Sequence, residues 1–166
     1  GGHQGRALRA GDTLACGGPA AAPRLRRAHA PPGAGDAPLR VVAGPQAGLF
    51  DDAGLAAFFA GSYRVAAASD RRGLRLSGAA VSHRCVELPS QGVLPGAGQV
   101  PPDGQPIILG WDGPVTGGYP VIAGVVAADL PRLAQLRPGD VVRFMTVELE
   151  VAQALAAGEW KIEDMA

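Results

Sequence analysis

Hydrophobic positions along this chain come in short bursts, and most of them alternate with polar ones. The run L-R-V-V-A-G from Leu39 is short, apolar and β-branched, which predicts a strand that Pro45 ends. Further strands are predicted over Ser62–Ala68, after Gly73, over Glu87–Leu94 and Gly98–Val100, over Pro106–Trp111, Tyr119–Val126 and Val141–Val147. Pro101-Pro102-Asp103-Gly104 and Pro138-Gly139-Asp140 read as turns, and Asp112–Gly118 as a loop. Helical spacing is rarer. Asp51 or Asp52 can cap a helix over Ala53–Ala60 that turns Leu55, Phe58 and Phe59 inward and stops at Gly61. Asp129–Leu136 predicts a short helix, and Glu148–Ala157 a closing amphipathic helix ended by Gly158. Residues 1–15 read as turn, short strand, tight turn at Ala10-Gly11-Asp12, and strand. Between Cys16 and Pro38 the chain is rich in Gly, Ala, Pro and Arg, and reads as a solvated loop. The pattern predicts a mainly β domain, barrel or sandwich, with two or three short helices.

Composition supports this picture. There are 25 Gly and 15 Pro among 166 residues, which favours strands and turns over long helices. The formal net charge is zero but unevenly placed: residues 1–83 carry ten Lys/Arg and five Asp/Glu, and residues 84–166 carry five and ten. Two oppositely charged faces of one body explain this. The basic cluster Arg24–Arg27 is too short for a nucleic-acid footprint, so no nucleic-acid partner is expected. No apolar run is long enough to span a membrane, so no membrane association is expected either. Cys16 and Cys85 are far apart, and His3, His29 and His83 lack ligand spacing, so free thiols and no metal site are expected. The chain opens on Gly1 without a signal peptide, which suggests a piece of a longer, cytoplasmic protein.

Three stretches concentrate polar groups beside glycine. In S-D-R-R-G-L-R-L-S-G (Ser69–Gly78), Arg71, Arg72 and Arg75 lie close together. Strand alternation lets only some of them share a face, where they would hold a carboxylate or phosphate; the alternative is a solvated face with Asp70 pairing locally. In Ser90–Pro106, Gln99, Asp103 and Gln105 flank a rigid Pro-Pro turn. They would hydrogen-bond an amide-like ligand, or else satisfy turn and backbone groups. In T-G-G-Y-P (Thr116–Pro120), glycine N–H groups and Thr116 would form an anion nest, or simply a turn into the next strand. His83 near Cys85 gives no convincing nucleophile–base arrangement, and no nucleophile is assigned.

The order of these stretches, with Q-V-P-P-D-G-Q-P-I-I-L (Gln99–Leu109), T-G-G-Y-P-V-I-A (Thr116–Ala123), L-R-P-G-D-V-V-R-F (Leu136–Phe144), L-R-V-V-A-G-P-Q (Leu39–Gln46), Phe50 and G-R-A-L-R-A-G-D-T-L (Gly5–Leu14), resembles the biotin-dependent carboxyltransferase family. That family includes the C subunit of 5-oxoprolinase, allophanate hydrolase subunit 2 and part of urea amidolyase. The resemblance covers nearly all of the chain except Cys16–Pro38. It implies a cyclophilin-like β-barrel over residues 39–166, with residues 1–38 as the remnant of an upstream region and a loop. It implies a component of an ATP-hydrolysing 5-oxoprolinase that opens 5-oxoproline to glutamate together with homologues of the B and A subunits. On that reading the isolated chain is inactive and ATP is used by the complex. The alternatives are a biotin-dependent urea carboxylase component, with biotin as cofactor, or a non-catalytic partner of a sporulation-kinase-inhibitor-like protein. On this resemblance Gln99, Asp103 and Gln105 orient an amide-like substrate, Arg71 or Arg75 holds its carboxylate or a phosphorylated intermediate, and Thr116, Gly117 and Gly118 stabilise an oxyanion. Ser69, Ser90 and Tyr119 complete the expected binding set. The family usually carries Glu between Ser90 and Gly92, where this chain has Gln91, and Gly98, Val115 and Arg72 are further departures.

Overall fold

The computed structural model describes residues 4–15, 26–28, 37–84, 88–157 and 162–164. They fall into two compact units: Gly1–Ala28 with Lys161–Ala166, and His29–Trp160. In chain order the strands are β1 (Arg26–Ala28), β2 (Leu39–Ala43), β3 (Tyr63–Val65), β4 (Gly73–Ser77), β5 (Gln91–Gly92), β6 (Ala97–Gln99), β7 (Ile107–Leu109), β8 (Thr116–Gly117), β9 (Val121–Val125), β10 (Val141–Val142), β11 (Phe144–Thr146) and β12 (Ile162–Asp164). The helices are α1 (Asp52–Ala60), α2 (Leu130–Leu133) and α3 (Leu149–Ala157), with 3₁₀ turns at Ala47–Leu49 and Ala127–Asp129.

The smaller unit pairs β1 antiparallel with β12, so a strand stands inside the stretch expected to be only loop. Two strands were expected in residues 1–15. The described part, from Gln4, keeps the expected turn at Ala10-Gly11 and has another at Gln4-Gly5, but only a single bridge residue, Arg6, in place of the strands. There Arg6 grips Asp12 through two hydrogen bonds of 2.7 and 2.8 Å. The rest of Cys16–Asp36, both cysteines, His3 and His29, the Glu87 start of a predicted strand and the Gly158 helix stop lie outside the described residues.

The larger unit is built on an eight-stranded sheet in the order β10-β3-β4-β7-β6-β9-β2-β11. All neighbours are antiparallel except β2 and β11. Its two edge strands, β10 and β11, are consecutive in the chain with Arg143 between them, so the sheet curls into a nearly closed barrel. This is the expected mainly β architecture with three helices. Closure of this kind leaves little free edge for pairing with other chains.

The barrel forms because its strands alternate. Leu39 and Val41, Tyr63 and Val65, Leu76, Ile108, Ile122, Val142 and Phe144 all point into one core. Helix α1 plugs it: Phe58 is fully buried and stacks on Phe144 with ring centroids 4.4 Å apart. Asp51 caps that helix, its carboxylate accepting from the Gly54 N–H and from the Ser82 hydroxyl at 2.7 Å each. Those bonds hold its carboxyl below the usual range. Tyr63 lies in the same core and donates its hydroxyl to the Ala57 carbonyl at 3.0 Å. Burial pushes its phenol up to about 12. Tyr63→Phe leaves that carbonyl without its donor and is expected to cost about 1 kcal/mol in a denaturant titration.

Several predicted elements shorten. Trp111 was expected at the end of a buried strand. Instead β7 stops at Leu109, because Gly110 turns away to donate its N–H to the Arg72 carbonyl, and Trp111 is left 66% exposed. Within the predicted Asp112–Gly118 loop, Thr116–Gly117 pairs with Gln91–Gly92 as a second small sheet, all that the described structure keeps of the strand expected over Glu87–Leu94. The predicted helix Asp129–Leu136 keeps one turn. Asp129, fully buried, is committed to Arg40, and Pro131 sits at its first turn. The strand over Val141–Val147 splits in two at Arg143. Helix α3 forms as expected, but none of its residues is buried, and Leu149 and Val151 are about half exposed.

Candidate functional site

The second face of the sheet carries the site. Along β7, Ile108 enters the core while Ile107 and Leu109 point the other way, where they pack with Val93, Ala97 and Val121. Residues directly opposite each other in an antiparallel pair share a face. Arg75 of β4 stands opposite Ile107, Ile107 opposite Gln99 of β6, and Gln99 opposite Val121 of β9. Register alone therefore sets Arg75 and Gln99 on this outer face, one strand apart on either side of Ile107.

Above them lies a cleft of about 430 Å³. Ile107 and Leu109 floor it, Arg75 and Gln99 stand at one end, and Asp70, Arg72 and the Asp112–Pro114 turn wall it. Of the three arginines in the first motif, two are spent on the walls. Arg71 pairs with Asp112 at 2.7 Å, and Arg72 with Asp70 at 3.4 Å. The Asp70 carboxyl is held low, chiefly by the Arg72 backbone N–H. Arg75 is exposed, and among the described residues its guanidinium has no ion-pair or hydrogen-bond partner. Its backbone is clamped by Ser69, whose hydroxyl accepts from the Arg75 N–H at 3.0 Å and donates to its carbonyl at 3.3 Å. Ser69 thus positions the arginine strand and does not face the cleft with a free hydroxyl.

Gln99 is 4% exposed, and its Nε2 is buried without a hydrogen-bond partner among the described residues. It lies against Gly117 of β8, where a Cβ would overlap that nitrogen. A side chain at position 117 would have to displace the Gln99 amide. The Gln99 and Gly117 parts of two motifs are therefore brought together with the arginine strand.

The remaining predicted residues are not. Asp103 accepts from the Gln105 N–H at 3.0 Å, which makes it a turn residue on the surface. Gln105 is tied to the backbone of Gly78, accepting from its N–H at 3.0 Å and donating to its carbonyl at 3.3 Å. Both are committed where the sheet hairpin ends, and neither lines the cleft. Thr116 and Tyr119 are exposed, Thr116 opposite Gly92, and Gly118 sits beside the Leu88 carbonyl. Ser90 is exposed just before β5. None of the four lines the cleft. His83 packs edge-on against Phe50 and lies 3.3 Å from the Pro101 carbonyl, which leaves it no nucleophile to activate among the described residues.

Two further glutamines, Gln46 and Gln91, do not line the cleft but are tied to the strand that pairs with Gln99. Gln46, in the turn after β2, accepts from the Val121 N–H at 3.1 Å and donates to Gln91 Oε1 at 3.0 Å. No local signal pointed to it, because its partners Val121 and Gln91 lie 75 and 45 residues away. A second, apolar cleft of about 500 Å³ lies on the far side of Asp70 and Leu109, lined by Leu74, Trp111, Leu130, Leu133 and Leu136.

The chain is 41% identical over 115 residues to the 5-oxoprolinase C subunit of Escherichia coli (strain K12), a match spanning 69% of this chain and 37% of that protein. It is 47% identical over 88 residues to the 5-oxoprolinase C subunit of Haemophilus influenzae, covering 52% and 28%. The chain thus spans about a third of the length of these relatives. Among solved structures, the urea amidolyase of K. lactis superposes with a TM-score of 0.67 at 28% identity, over 72% of this chain and 8% of that one. TTHA0988 superposes with a TM-score of 0.55 at 37% identity, over 64% and 21%. Residues 1–146 match the carboxyltransferase domain, subdomain A and B, and the chain belongs to that family.

Proposed function

We propose that this chain works as part of the C subunit in a cytoplasmic, ATP-dependent 5-oxoprolinase, and that the Arg75–Gln99 cleft holds the substrate. The observation that carries the reading is an exposed guanidinium, Arg75, without a partner among the described residues, set beside Gln99 over an apolar floor, in a chain similar to two 5-oxoprolinase C subunits. A cyclic amide that bears a carboxylate matches this set. Its carboxylate takes the fork of Arg75, its ring carbonyl takes the Gln99 amide, and its methylenes rest on Ile107 and Leu109. Polar groups left unpaired by an analogue penalise that analogue, so the set discriminates as well as binds. The two cleft carboxylates, Asp70 and Asp112, are each paired with an arginine, which suits them to shaping the walls. The chain therefore orients substrate, while homologues of the A and B subunits supply the phosphoryl chemistry and ATP is spent by the complex. Co-purification with both homologues, followed by a 5-oxoproline assay, is expected to give glutamate only with ATP and all components present. Turnover by this chain alone, or none by the full set, contradicts the reading.

A second reading is the urea carboxylase reaction, favoured by the superposition on the K. lactis urea amidolyase and urea carboxylase structures. Biotin would bring a transferable carboxyl group, and the Gln99 amide and Arg75 fit its ureido carbonyl and that carboxyl. Urea-dependent turnover with a carboxylated biotin carrier, in place of 5-oxoproline turnover, selects this reading.

A further inference from the structure

The charges around the cleft are paired in an uneven way. Asp70, Arg72, Arg75 and Asp112 line it, two cations and two anions. A guanidinium that shares a cleft with two carboxylates has a ready internal partner. Among the described residues Arg75 pairs with neither, because both are already taken. Asp70 holds Arg72 at 3.4 Å and also accepts from the Arg72 and Gly73 N–H groups. Asp112 is held by Arg71 at 2.7 and 3.4 Å. Arg71 does not line this cleft. It stands at the edge of the neighbouring apolar one and reaches across the turn. Backbone bonds fix that reach: the Asp112 N–H donates to the Arg71 carbonyl at 3.3 Å, and the Gly110 N–H to the Arg72 carbonyl at 3.0 Å. A fifth charge brought in from outside thus leaves the cleft one positive charge in excess, carried by Arg75. All four paired side chains are half or more exposed. Exposed pairs of this kind add little to stability, so substituting them alters charge and hardly folding.

We propose that the cleft is a site for a single negative charge, a monocarboxylate and not a dianion, and that Arg71 sets this selectivity by neutralising Asp112 from outside. The proposal rests on the reading of the cleft as the substrate site. It narrows that reading to the carboxylate-bearing lactam itself and leaves phosphorylated species to the other components. One carboxylate meets the Arg75 fork. A second negative charge on the same ligand would face Asp70 and Asp112, with no other uncommitted guanidinium among the lining residues. Without Arg71, the freed Asp112 carboxylate would repel the ligand and compete for Arg75. Arg71 is therefore a positioning residue that acts through Asp112 and does not touch the ligand.

The test measures dissociation constants on this chain at low salt by ligand-observed NMR, with three probes: 5-oxoproline (one negative charge), 2-pyrrolidinone (the same ring, uncharged) and glutarate (two negative charges). The parent is expected to bind 5-oxoproline at least about tenfold more tightly than glutarate. Arg71→Ala is expected to weaken 5-oxoproline about threefold and glutarate about tenfold, since a dianion feels the freed carboxylate twice, while 2-pyrrolidinone is unaffected. Arg71→Ala combined with Asp112→Ala is expected to restore the binding of both anions, and added salt to shrink the differences. A wall that merely collapsed would weaken the neutral ring as well and would not be rescued by the second substitution. Glutarate bound as tightly as 5-oxoproline, a neutral ring weakened as much as 5-oxoproline in Arg71→Ala, or a double variant that stays weak overturns the proposal and leaves the substrate-cleft reading standing. A parent chain without affinity for 5-oxoproline overturns both.

Discussion

Asp129→Ala is expected to lower the unfolding free energy by about 3 kcal/mol, toward the lower end for breaking a buried ion pair. Asp129, the last residue of the 3₁₀ turn that leads into α2, is fully buried. Its carboxylate accepts from the Arg40 side chain at 2.6 and 3.0 Å and from the Arg40 N–H at 2.8 Å, with Arg132 at 3.5 Å. Arg132 in turn donates to the carbonyls of Ala37 and Pro38. One carboxylate thus ties β2, the segment before it and the α2 turn together. Removing it strands two arginines; Arg40, about a quarter exposed, finds water and softens the loss. Burial alone would push the Asp129 carboxyl up, but the Arg40 hydrogen bonds and the charges of both arginines outweigh it and hold it low. The pH dependence follows. A carboxyl depressed in the folded state stabilises fully above its unfolded value near 4, and that contribution fades as pH falls through the depressed folded value. Urea titrations from pH 7 downward should show the parent losing part of its advantage over Asp129→Ala only in acid. A gap that is already closed at neutral pH contradicts the assignment.

Arg75→Ala is expected to lower kcat/KM of the reconstituted complex by about 10–100-fold. A charge-assisted hydrogen bond contributes about 1.5–3 kcal/mol, and 1.4 kcal/mol is tenfold in rate. The side chain is exposed and makes no hydrogen bond or ion pair among the described residues that its loss would break, so stability should hardly change. Arg75→Lys keeps the charge but loses the planar fork, and intermediate activity is expected. An equal loss in Arg71→Ala would show that the wall ion pair with Asp112 matters as much, against the geometry.

Much of the barrel was legible because its strands alternate cleanly. Leu74-Arg75-Leu76 announces two faces, and the two-residue period puts Arg75 on the outer one without coordinates, whereas Ile107-Ile108-Leu109, apolar throughout, does not show which residue faces the core. The cap at Asp51 and the inward Phe58 follow from local rules in the same way. What stayed hidden depends on partners distant in sequence. The pairing of Arg26–Ala28 with Ile162–Asp164, and of β5 with β8, carries no local signature. Trp111 looked like a buried strand end because apolar character does not reveal where a glycine turns the chain. At the site, residue types were visible but their commitments were not. Asp103 and Gln105 looked free and are spent on backbone, while Gln46, given no role by the sequence, bridges the Val121 N–H and Gln91. The distinction between Arg75 and its two neighbours rests on Asp70 and Asp112, one of them about forty residues away.

The most direct check is a side-by-side measurement of kcat/KM for 5-oxoproline in complexes carrying Arg75→Ala or Asp103→Ala. A substrate cleft at Arg75 and Gln99 predicts a loss of at least about tenfold for the first and a change within about twofold for the second. Comparable losses, or a larger one at Asp103, would place the chemistry elsewhere on the barrel.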